Sequence, residues 1–111
     1  MKFYEEFDCY KRSVDVIGQL LSDLKMIEED YASLKAKLNN ETMELTINLA
    51  YGAESEIEEK RKIHFEKSKK SASRCCDLLE NLYSKKQISF KKKTHFQRIF
   101  DQIVFLISKL K

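Results

Sequence analysis

Apolar residues recur along this chain at steps of three and four, the spacing that lines one face of an α-helix, and they do so in four separate stretches. The first is Phe3, Phe7, Tyr10, Val14, Ile17, Leu21 and Leu24, with Glu5, Asp8, Lys11, Arg12 and Asp15 off the stripe, and it predicts a helix ending near Lys25. Leu34, Leu38, Leu45 and Leu49 keep helical phase across Asn39 and Asn40, so a second helix is expected over 29–51; a kink with Asn40 capping a fresh helix is the alternative. Glu28, Glu29 and Asp30 suit the positive end of that helix dipole. The third stripe is Phe65, Ser68, Ala72, Cys75, Leu79 and Leu82, with Ile57 and Arg61 continuing it towards its start. The fourth is Phe96, Ile99, Phe100, Ile103, Leu106, Ile107 and Leu110.

Punctuation between the stripes is helical too. Gly52 stands where a left-handed residue ends a helix, Ser55 with Glu58 reads as a capping box, Lys85-Lys86-Gln87 closes the third helix, and Ser89 caps the fourth. With no proline and two glycines, the pattern predicts an all-α fold, an antiparallel up-down four-helix bundle forming a single domain over residues 1–111. Ser68, Ser71, Ala72 and Ser73 let a neighbouring helix approach closely, either within the chain or between subunits. Val104 and Phe105 widen the fourth stripe beyond one seam, so self-association is expected.

Length and cysteines add bounds. The 111 residues suffice for a conventional core without staples. Cys9, Cys75 and Cys76 are an odd number and two are adjacent, so they read as reduced thiols of a cytoplasmic protein. No stretch approaches the roughly 20 apolar residues that span a bilayer, and the acidic start Met1-Lys2-Phe3-Tyr4-Glu5-Glu6 does not resemble a signal peptide. No membrane partner is expected.

Charge is lopsided. Residues 1–55 hold 6 Lys/Arg against 11 Asp/Glu, a net of −5, whereas residues 56–111 hold 15 against 7, a net of +8, giving the overall +3. Glu56 with Lys60, Glu58 with Lys62 and Glu66 with Lys70 lie four apart in the favourable order for pairing. The remaining cations are Lys69, Arg74, Lys85, Lys86, Lys91, Lys92, Lys93 and Arg98, to which Lys70 is added as a candidate phosphate contact. Three lysines in the first turn of a helix oppose its dipole, which phosphate contact would offset. Tyr83, Phe90 and His95 interleave with them and suit base stacking.

No catalytic arrangement is legible. His64 and His95 lack a second ligand at metal spacing, Cys75-Cys76 is not a two-residue-spaced redox or zinc pair, and no glycine-rich phosphate loop occurs. The expectation is a protein that is no enzyme and uses no cofactor or metal.

Asn48-Leu49-Ala50-Tyr51-Gly52-Ala53 resembles the Asn-Ile-Ala-Glu-Gly signature of the small four-helix bundle proteins encoded in intervening sequences of bacterial large-subunit ribosomal RNA genes. That family looks related to the accessory variability determinant of diversity-generating retroelements. Tyr31, Leu34, Leu38, Phe65, Lys70-Ser71, Leu79 and the run from Ile99 to Leu110 fall where the family has corresponding positions. The chain departs from it at Tyr51 for the Glu of the signature, at Asn39 and Asn40 for paired arginines, and at Arg74 for a Glu. The resemblance implies a non-enzymatic bundle that assembles into a ring, a homopentamer, and, as in the retroelement branch, binds RNA or a nucleic-acid enzyme such as a reverse transcriptase through a basic surface. The alternative is a protein–protein adaptor bundle that binds no nucleic acid.

Overall fold

The computed structural model describes residues 7–110, so Phe3 and the acidic start lie outside the described residues. Four helices follow in order: α1 (Asp8–Asp23), α2 (Ala32–Glu54), α3 (Glu58–Ser84) and α4 (Phe90–Ser108). Single 3-10 turns at Leu24–Met26 and Glu29–Tyr31 join α1 to α2. Each helix packs on the next and α1 packs on α4, closing an up-down-up-down bundle whose extents are 44 × 23 × 20 Å. No strand occurs among the described residues, and no helix among them is long and apolar enough to cross a membrane.

The third stripe is buried as its spacing predicts: Phe65, Ser68, Ala72, Cys75, Leu79 and Leu82 all face the core, while Ile57 is exposed. The small residues serve the crossing of α3 with α2, the most extensive helix pair, where Ser68 Oγ donates to the Leu45 carbonyl at 2.9 Å. α2 runs unbroken past Asn39 and Asn40, with Leu38, Leu45 and Leu49 buried. In α4, Phe96, Phe100, Ile103 and Ile107 are buried, whereas Phe105 is exposed.

Three details differ from expectation. In α1 the buried residues are Cys9, Ser13, Val16 and Leu20, continuing into Leu24, while Val14 and Leu21 of the predicted seam are 46% and 51% exposed. Two apolar series interleave on this helix, and the bundle covers the one carrying smaller side chains. Gly52 is helical, because α2 continues to Glu54 and no glycine has a positive φ. Its role is steric: a Cβ there would stand 2.6 Å from the Phe65 ring. Ser55 forms a local turn with Ile57 in place of a capping box, and the N-cap of α3 is Ile57.

The α3–α4 turn matches its sequence. Gln87 N–H donates to the Leu82 carbonyl and Lys86 N–H to that of Tyr83, the paired bonds of a Schellman ending, with Lys86 at φ 61°. Ser89 Oγ then accepts from Lys92 N–H at 3.1 Å and caps α4.

Candidate nucleic-acid interface

The nine predicted cations do not form one patch. The structure divides them among three places on the bundle.

Lys85, Lys86, Lys91, Lys92, Lys93 and Arg98 occupy the α3–α4 turn and the first half of α4. Within this group Lys93 is committed to the fold. Its side chain is only 11% exposed, its Nζ lies 3.1 Å from a carboxylate oxygen of Glu80, and it stands 4.6 Å and 4.9 Å from the Tyr83 and Phe90 ring centroids. Gln97 Nε2 donates to the same carboxylate at 3.0 Å, and these donors, Gln97 before Lys93, hold Glu80 below its ordinary pKa. A lysine expected to reach for phosphate is thus part of an internal network.

Lys91, Lys92 and Arg98 remain exposed and make no ion pair among the described residues. Phe90, Lys91, Thr94, His95, Arg98, Ile99 and Gln102 line a groove of about 540 Å³ in which no carboxylate appears. Phe90 is 61% exposed, yet its ring is held edge-on to Tyr83 at 5.8 Å and beneath the Lys93 ammonium. His95 Nε2 is 3.0 Å from Gln19 Oε1 and Arg12 donates to Gln102 at 2.9 Å, so two of the lining residues are tied to α1. The result is an aromatic platform fixed from one side, beside two free cations.

The α1–α2 connection approaches the same end of the bundle, where Glu28 N–H donates to Gln87 Oε1 at 2.9 Å. Glu28, Glu29 and Asp30 are all exposed there, so the field of Lys85 and Lys86 is partly offset. The α4 groove lies clear of those carboxylates.

Lys70 and Arg74 lie elsewhere, with Lys67, in the groove between α2 and α3, and Arg74 pairs with Glu41 at 3.5 Å. Lys69 sits on the α4 side of α3 and pairs with Glu66 at 2.8 Å, which replaces the expected Glu66–Lys70 pair. The Glu58–Lys62 pair forms at 3.7 Å. Sequence reasoning placed Lys67 off the stripe of α3 without making it a contact and missed Thr94 and Gln102, whose grouping depends on the rotation of each helix about its axis.

Neither histidine stands in a metal-ligand cluster: no group of three or more His, Cys, Asp or Glu side chains suited to a metal occurs among the described residues. His64 Nδ1 is 2.9 Å from Asn48 Oδ1 and its ring packs 5.5 Å from that of Tyr51. Cys75 is buried against Thr42, whose hydroxyl donates to the Leu38 carbonyl at 2.8 Å, leaving its lone pair for the Cys75 thiol 3.5 Å away. Burial pushes the Cys75 thiol up to about 12 and that of Cys76 to about 11. Thiols so protonated are poor nucleophiles.

The fold defines an all-α up-down bundle carrying a cationic groove with one exposed aromatic ring. No family model, curated protein or solved structure matches the chain.

Proposed function

We propose that this protein is a non-enzymatic, self-associating four-helix bundle that binds single-stranded RNA along the first half of α4. Phe90 carries the reading. A large ring left exposed at the head of a helix, braced by Tyr83 and Lys93 and flanked by Lys91 and Arg98, suits stacking of an unpaired base while neighbouring phosphates meet the cations. Lys92 and the turn residues Lys85 and Lys86 extend the track along the backbone. Such contacts position RNA with little reading of sequence. A nucleic-acid enzyme, such as a reverse transcriptase, is the class of protein partner that an RNA scaffold of this kind serves.

Self-association is supported by the face of α1 that the bundle leaves open. Arg12 and Gln19 contact α4, which turns Val14 and Leu21 to the opposite flank of α1, and on α2 Met43 and Ile47 are exposed as well. A ring of five, the assembly that the family resemblance implies, would set several α4 grooves side by side.

Binding of a fluorescently labelled single-stranded oligoribonucleotide tests the reading. The expected affinity falls steeply with salt: about four phosphate contacts give a log–log slope near −3. Lys91→Glu with Arg98→Glu should abolish binding, and Phe90→Ala should weaken it by about 1–3 kcal/mol. Undetectable RNA binding at low salt would transfer the protein to the adaptor class. Light scattering tests assembly, and a monomer at micromolar concentration removes the ring.

A further inference from the structure

A second site lies between α2 and α3, on different helices' faces from the α4 groove and independent of the RNA reading. Glu41, Glu44, Asn48, Lys67, Lys70, Ser71 and Arg74 line a pocket of about 540 Å³, within the range of roughly 300–1,000 Å³ usual for small-molecule sites. Its base is built from buried polar side chains. Ser71 is 3% exposed, and its hydroxyl has no hydrogen-bond partner among the described residues. The hydroxyl is not among the buried polar atoms without a partner, so it opens onto the pocket and can donate there.

Asn48, 8% exposed, is fixed beside it: its amide N–H donates to the Glu44 carbonyl at 2.9 Å and its Oδ1 faces His64. Glu41 Oε2 is buried without a hydrogen bond, held only by the 3.5 Å charge contact with Arg74. At the rim, Lys67 and Lys70 have no ion-pair partner among the described residues.

Three cations and two carboxylates in one pocket select against a bare anion and against a simple cation. Lys67, Lys70 and the Ser71 hydroxyl suit the oxygens of a phosphate monoester, which accepts from all three. Glu41 Oε2, buried without a hydrogen bond, then takes a donor from the same ligand, and the exposed Glu44 beside it, which accepts from Asn48 at 3.5 Å, can take a second; vicinal sugar hydroxyls supply both, as carboxylates bind ribose hydroxyls in nucleotide sites. We propose that the α2–α3 pocket binds a small phosphorylated pentose, of the nucleoside 5′-monophosphate class, with phosphate on Lys67, Lys70 and Ser71 and ribose hydroxyls on the Glu41–Glu44 wall.

Titration calorimetry of the full chain with AMP, ribose 5-phosphate, adenosine and inorganic phosphate tests this. AMP and ribose 5-phosphate should bind saturably, with adenosine and inorganic phosphate at least about tenfold weaker, the factor expected for losing one charge-assisted set of contacts. Lys70→Gln, a change at an exposed position, and Ser71→Ala should each weaken AMP about tenfold, with helicity by circular dichroism unchanged. The Lys91→Glu, Arg98→Glu variant should bind AMP as the wild type does, which separates this site from the RNA groove. Absence of saturable binding at millimolar AMP, inorganic phosphate binding as tightly as AMP, or unaltered affinity in Lys70→Gln would overturn the proposal.

Discussion

Two glycines in helices do opposite things. Gly18 in α1 has open space where a Cβ would go, so Gly18→Ala should raise stability by about 1 kcal/mol through helix propensity alone. At Gly52 the same gain is outweighed, because the new methyl would sit 2.6 and 2.7 Å from Phe65 ring carbons and the ring is buried in the core. Gly52→Ala should cost about 1–2 kcal/mol net, read as a lower urea midpoint, the usual result of overpacking. Lys86 presents a third backbone case: its φ of 61° is strained for any residue with a Cβ, so Lys86→Gly should stabilise by about 1 kcal/mol while trimming one cation from the turn. The cysteines carry a pH signature. Burial raises all three thiols above their ordinary value of 9.0, Cys76 to about 11 and Cys75 to about 12. Between pH 9 and those values the folded chain keeps protons that the unfolded chain releases, so stability is complete below pH 9 and falls as pH rises. Comparing urea midpoints of wild type and Cys76→Ala across that range checks it; the variant should lose less.

At the scale of elements, α4 shows how a helix divides its first-turn lysines. Ser89 caps it, Lys93 turns inward to Glu80, Tyr83 and Phe90, and Lys91 and Lys92 stay in solvent. Lys93→Ala should therefore cost about 1 kcal/mol through the lost cation–π contacts and release Phe90, whereas Lys91→Ala should leave the melting temperature unchanged. If both variants melt alike, Lys93 is no part of the scaffold. The α3–α4 junction was legible because its caps are local: Ser89 accepts from a backbone N–H three residues on, and the Lys85-Lys86-Gln87 ending closes on Leu82 and Tyr83. The phase of α1 was not. Its two apolar series satisfy the same spacing rule, and nothing within the helix says which one its neighbours cover.

For the whole molecule, the open apolar face bears on assembly. Val14 and Leu21 contribute little to the core, so Val14→Glu with Leu21→Glu should leave the far-ultraviolet dichroism intact while lowering the mass seen by light scattering. Charge pairing likewise belongs to this scale. Glu41–Arg74 and Glu80–Lys93 join different helices, and they remove from the predicted cationic set two members that no local pattern marks as occupied. What stays free is divided among the α3–α4 turn, α4 with its groove, and the α2–α3 pocket.

The number of helices, their order, the continuity of α2 and the buried stripe of α3 were determined by the sequence itself, because helical periodicity and capping act among residues a turn or two apart. Tertiary structure alone decided the rotation of α1, the steric duty of Gly52, and which lysines are spent on carboxylates. Those outcomes depend on side chains brought together from distant parts of the chain, 13 residues apart for Lys93 and Glu80 and 76 for His95 and Gln19. Spacing along one helix carries no information about the rotation of the next.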